Sequence, residues 1–132
     1  MDAPPATPPS SALRAVFVVC AVSFVAAAIN HVWRAAVPEA GDSPLWRHVL
    51  FIGLNLANAA LVLRRPRWYP FAFAPLVLQQ LYGHGTPVVT ALGAGAAPRA
   101  TDFAVVLFMP LVLALLVFDR ARTAPPPAAP AA

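Results

Sequence analysis

The chain has 132 residues, of which 60% are hydrophobic and 11% charged, and its mean hydropathy is +0.70. Soluble domains average about 45–50% apolar and about 25% charged residues, and a domain this small leaves much of its surface exposed. The composition therefore excludes a water-soluble globular protein and predicts an integral membrane protein. The net charge of +4 comes from arginines that punctuate apolar segments, which argues against a nucleic-acid-binding surface. The single Cys20 excludes an intrachain disulfide and a cysteine-based metal site.

Four apolar segments lie between two tails rich in proline and alanine. The tails, residues 1–11 and 123–132, have nothing to bury and are expected to be disordered, which leaves residues 12–122 as the membrane domain. The segments run from about Leu13 to Trp33, Trp46 to Leu63, Trp68 to Tyr82 and Phe103 to Phe118. Tryptophan and tyrosine at the segment ends, among them Trp68 and Tyr69, are typical of membrane interfaces. The pattern predicts an all-α fold, an antiparallel four-helix bundle.

The placement of the arginines predicts the orientation of the bundle. Six lie on the side of both termini and three on the other: Arg14, Arg64, Arg65, Arg67, Arg120 and Arg122 against Arg34, Arg47 and Arg99. By the positive-inside rule both termini are expected in the cytoplasm. An arginine-only basic complement with much alanine and proline indicates a bacterial inner (plasma) membrane. As an alternative, Arg14 and the apolar stretch up to Ala26–Ala28 resemble a signal peptide with its cleavage site.

Polar residues concentrate at one end of the predicted bundle. His31 closes the first segment, His48 opens the second, His84 closes the third and Asp102 opens the fourth. In an up-and-down bundle these boundaries share one face of the membrane, the outer face, and polar side chains beside lipid are costly enough to suggest a site. The long connection Gly83–Thr101 is expected to fold back over this end as a lid or a re-entrant piece. These four residues are also the candidate catalytic acid and base groups.

Helical spacing adds amides to the predicted site. His48 and Asn55 are seven residues apart, and Asn58 lies on the same side of the helix, so this stripe is expected to face the bundle interior. The candidate ligand-binding residues are Asn30, His31, His48, Asn55, Gln79, Gln80, Tyr82 and His84. Asn58 and Ser23 favour a structural role, as hydrogen bonds between helices. For Asp102, a helix N-cap and a functional carboxylate are equally plausible.

These features predict a small polytopic membrane protein that binds or processes a small, partly lipophilic ligand in a polar pocket at the outer face. One alternative is a metal- or haem-dependent membrane enzyme, with His31, His48, His84 and Asp102 as ligands for Zn, Cu or non-haem Fe. No local spacing such as HxxxH or HExxH supports it, so the cofactor stays unknown. The other alternative is a non-catalytic accessory subunit of a larger membrane complex. The expected partners are the lipid bilayer, the ligand, and either a second copy or other subunits.

Overall fold

The computed structural model describes residues 11–37 and 43–123, which form four α-helices and no strand. The helices are α1 (Ser11–Ala36), α2 (Leu45–Arg64), α3 (Tyr69–Gly93) and α4 (Ala100–Arg122). The predicted all-α fold is confirmed. The predicted tails lie outside the described residues, except that Ser11 begins α1 and Thr123 caps α4.

Three of the helices, α1, α2 and α4, are long and apolar enough to cross a membrane. Each extends the predicted apolar segment by one to four residues at either end. Most of the added residues are charged or small, which suits the interface beyond the hydrocarbon core. The helix α3 does not reach the same hydropathy over a membrane-spanning length, because glutamines, glycines, a histidine and prolines interrupt it. The three apolar helices indicate a membrane protein.

The third helix corrects the sequence analysis. The lid loop predicted from Gly83 is wrong, since α3 continues without a break to Gly93 and carries Pro87 in its interior. Only residues 94–99 connect it to α4. Glycine and proline have low intrinsic helix propensity, but the packing of α3 against α4 overrides that local preference. The chain after Pro87 also becomes apolar again, and Val88 is buried.

The first compact unit, residues 8–66, holds α1 and α2 packed along each other. The pair is antiparallel, because the Arg65 guanidinium lies 5.0 Å from the ring centroid of Phe17 at one end while His31 meets His48 at the other. One side of α1 is buried, at Phe17, Cys20, Ala21, Phe24 and Ala28. The valines at positions 18, 19 and 22 are more than half exposed, as lipid-facing side chains of a membrane helix would be.

The second unit, from Arg67 onward, holds α3 packed on α4. It too is antiparallel: the Arg120 guanidinium lies 4.3 Å from the Phe71 ring centroid and its Nη1 donates to the Arg67 carbonyl at 3.3 Å. Pro70 occupies the first turn of α3, where its missing N–H costs little. The buried side chains of the two helices include Tyr69, Phe73, Val77, Met109, Val112 and Leu116. Tyr69 is buried within this pair and packs against Phe73, and its place at the membrane interface stays a prediction.

Candidate functional site

The second helical pair brings a histidine and a carboxylate into direct contact. His84 Nδ1 and Asp102 Oδ1 lie 2.6 Å apart, with side chains that are 35% and 13% exposed. An ionised carboxylate only accepts hydrogen bonds, so His84 donates through Nδ1–H. A bond this short to a charged acceptor is of the stronger kind and fixes the ring orientation. Neutral His84 then carries its lone pair on Nε2, and the half-exposed ring can present that atom to a ligand.

The two partners reach each other from different places on their helices. His84 was expected to end α3, but it is the sixteenth residue of that helix, about 22 Å from its start and about 14 Å from its end at 1.5 Å per residue. Asp102 lies in the first turn of α4, where the helix dipole favours a negative charge. It is not the N-cap: Arg99 occupies that position, without a capping side-chain hydrogen bond. Asp102 instead bonds across to α3.

Small and amide residues surround His84 on α3. Gly83 and Gly85 flank it, and a side-chain carbon built on Gly85 would only touch Val106 of α4 at 3.9 Å. Gln80, one turn before His84, is buried and donates from Nε2 to Gln79 Oε1 at 2.8 Å. The amides add hydrogen-bonding groups in the turn beside His84.

The first helical pair holds a different polar contact. His31 on α1 and His48 on α2 approach to 3.1 Å between their Nδ1 atoms. The His31 ring also stacks on Phe51, with centroids 5.3 Å apart and planes 15° from parallel. Two neutral imidazoles can share one hydrogen bond here, one ring donating Nδ1–H and the other accepting. The sequence predicted that both histidines lie at the same end of the two helices. It did not predict that His31 stacks on Phe51.

His48 is more enclosed than His84. Its residue is only 5% exposed, and Nε2 is buried without a hydrogen-bond partner in the described residues. An unsatisfied buried polar atom costs about 1–3 kcal/mol. The contact contains no carboxylate to stabilise an imidazolium, so it suits a neutral pair that positions the helices. The His84–Asp102 pair has both the carboxylate and the exposure that binding chemistry needs.

The other candidate residues have different environments. Asn55 is half-buried, whereas Asn30 and Gln79 are exposed, and Tyr82 is 80% exposed. Their part in a site stays a prediction. Asn58 is buried, in line with the structural role expected for it. Ser23 was expected to bond a neighbouring helix, but its hydroxyl donates to the Val19 carbonyl in its own helix at 3.0 Å.

Sequence analysis gave no role to Asp119, which the structure buries near the end of α4. The Asp119 backbone carbonyl accepts from both the N–H and the hydroxyl of Thr123, which closes the helix. A cue was present in the sequence, since Asp119 follows Leu116 by three positions and Val112 by seven and so shares their buried face.

The candidate metal ligands form pairs. Within residues 11–37 and 43–123, no group of three or more His, Cys, Asp or Glu side chains is placed to hold a metal ion. The two pairs belong to separate compact units, and the convergence of all four residues stays a prediction. The chain matches no protein-family model, no curated protein and no solved structure.

Proposed function

We propose that this chain is a small polytopic membrane protein that binds or processes a small, partly lipophilic ligand, with the His84–Asp102 pair as the polar anchor. The observation that carries the proposal is the 2.6 Å contact between His84 Nδ1 and Asp102 Oδ1. Polar groups beside lipid are expensive and tend to mark functional sites. A carboxylate that orients an imidazole through Nδ1, on a ring that is about one-third exposed, is an arrangement suited to binding and proton transfer.

The ligand class follows from the surroundings of the pair. His84 Nε2 can accept from a hydroxyl when the ring is neutral and donate to a carbonyl when it is protonated. The neighbouring helix surfaces are apolar, with Leu78 and Leu107 largely exposed, so the rest of the ligand is expected to be hydrocarbon. An isoprenoid alcohol, a quinone or another lipid with one polar head meets both requirements.

Mass spectrometry of organic extracts tests the proposal. The full chain is purified in mild detergent as wild type and as Asp102→Asn, with Ser23→Ala as a control in the other helical pair. We expect a compound of this class to accompany wild type and the control in near-stoichiometric amount, and to fall several-fold in Asp102→Asn. A wild-type extract without such a compound, or equal amounts in all three proteins, would contradict the proposal.

The proposal includes a bacterial inner membrane with both termini in the cytoplasm. Its support is the excess of arginine on the terminal side of the helices, six against three. After Arg122, a reporter that works only in the cytoplasm should be active. At Gly41, a reporter that works only outside the cytoplasm should be active. The opposite pattern at both positions would reverse the orientation and place His84 nearer the cytoplasm.

A further inference from the structure

One end of the α3–α4 pair gathers three arginines, Arg67, Arg120 and Arg122, which we call the arginine end. Arg67 lies two residues before the start of α3, and the other two arginines lie in the last turn of α4. Arg120 ties the two helices together, since its Nη1 donates to the Arg67 carbonyl at 3.3 Å. Asp119 is the one carboxylate beside these arginines in the described residues, and it is buried. The surface therefore presents positive charge.

Aromatic rings lie among these guanidinium groups. Arg120 Cζ is 4.3 Å from the centroid of Phe71, and Arg122 Cζ is 5.6 Å from that of Phe118. Both rings, and that of Trp68, are more than half exposed. Exposed aromatic rings and arginines together are typical of the zone where lipid headgroups meet the hydrocarbon core. The cation–π contacts also limit the freedom of the two arginines before any partner binds.

We infer that the arginine end binds the phosphate headgroups of anionic phospholipids in the bilayer. A guanidinium has five N–H donors in a planar fork that matches phosphate oxygens, and the Arg67 carbonyl occupies only one donor of Arg120. Charge complementarity selects an anionic over a zwitterionic lipid, while Trp68 and Phe118 pack against the acyl chains. This inference does not depend on a ligand at His84, because it concerns the opposite end of the α3–α4 pair.

Spin-label electron paramagnetic resonance measures this selectivity directly. The full chain is reconstituted in phosphatidylcholine bilayers that contain trace spin-labelled phosphatidylglycerol or spin-labelled phosphatidylcholine, and the immobilised fraction of each is compared. We expect wild type to favour phosphatidylglycerol about fivefold at low salt, with the preference falling at high salt. The triple variant Arg67→Gln/Arg120→Gln/Arg122→Gln should retain less than half of that preference.

Arg99→Gln is the matched control, because Arg99 precedes α4 at the other end of the same pair. It should keep more of the wild-type preference than the triple variant does. Circular dichroism checks the helix content of each protein, and single Arg67→Gln and Arg122→Gln variants, both at exposed sites, replace the triple variant if it misfolds. Three results would overturn the inference: no preference in wild type, an equal loss in Arg99→Gln, or removal of the preference by inorganic phosphate at constant ionic strength, which would indicate a soluble anion.

Discussion

The two helical pairs solve the same problem, a polar contact between apolar helices, with different chemistry. In the first pair, His31 and His48 meet as two imidazoles, and His48 is almost fully buried with an unpartnered Nε2. In the second, His84 meets the carboxylate of Asp102 and stays about one-third exposed. The first contact contains no carboxylate, so we expect that apolar packing can replace it. The second keeps a charge-assisted hydrogen bond and an accessible ring, which is why we assign binding to it.

The largest effect is expected from the apolar core that each helical pair has. Phe17 in the first pair and Phe73 in the second are both at most 2% exposed. Either change to alanine should lower the free energy of unfolding by about 2–4 kcal/mol, because the cavity cannot be filled. Thermal or denaturant unfolding in detergent measures it. Phe71→Ala, at a 65% exposed site, is the control and should cost less than half as much. Equal losses at Phe71 and Phe73 would contradict the assigned core.

The next largest effect is expected for the contact that contains a carboxylate, His84–Asp102. Asp102→Leu removes the acceptor and leaves His84 Nδ1–H unpaired, so the free energy of unfolding should fall by about 1–2 kcal/mol. Asp102→Glu, which keeps the charge on a longer side chain, should recover part of the loss. The same unfolding assay measures both variants. An Asp102→Leu protein as stable as wild type would show that the contact with His84 contributes nothing to the second pair.

The His48 contact should respond in the opposite way. His48→Leu removes the buried, unpartnered Nε2 and fills a similar volume, so stability should stay within about 1 kcal/mol of wild type or rise. In this variant the His31 ring is not left as a buried group without a hydrogen bond, because His31 is half-exposed. A loss of stability as large as that of Asp102→Leu would contradict the distinction between the two pairs, and would make the His31–His48 contact a stabilising one.

The smallest expected effect tests whether α3 continues as a helix beyond His84. Pro87 lies inside this helix and provides no N–H for it, so Pro87→Ala should raise the free energy of unfolding by about 0.5–1 kcal/mol. Pro98 lies in the connection before α4, and Pro98→Ala should instead lower it slightly, because the unfolded chain becomes more flexible. Equal, negative changes for both prolines would indicate a loop at Pro87, as the sequence alone suggested.

Four continuous apolar segments predicted the four helices, because a membrane helix is specified by the length and composition of one continuous segment. The segment from Gly83 was predicted as a loop because glycine and proline have low intrinsic helix propensity, but the packing of α3 against α4 overrides that local preference. The candidate residues were identified by type, but their partners were not. The pairing of His84 with Asp102 depends on the register of α3 against α4, and that register depends on side-chain packing at sites such as Phe73 and Val112.

The most direct test of the central claim, that His84 and Asp102 act as one anchor, is a double-mutant cycle on ligand occupancy. The amount of co-purifying lipophilic compound per protein is measured by mass spectrometry in wild type, His84→Ala, Asp102→Ala and the double variant. Groups that act as a unit are strongly non-additive, so each single variant should lose most of the compound and the double variant should lose no more. Wild-type occupancy in either single variant, or losses that simply add, would contradict the account.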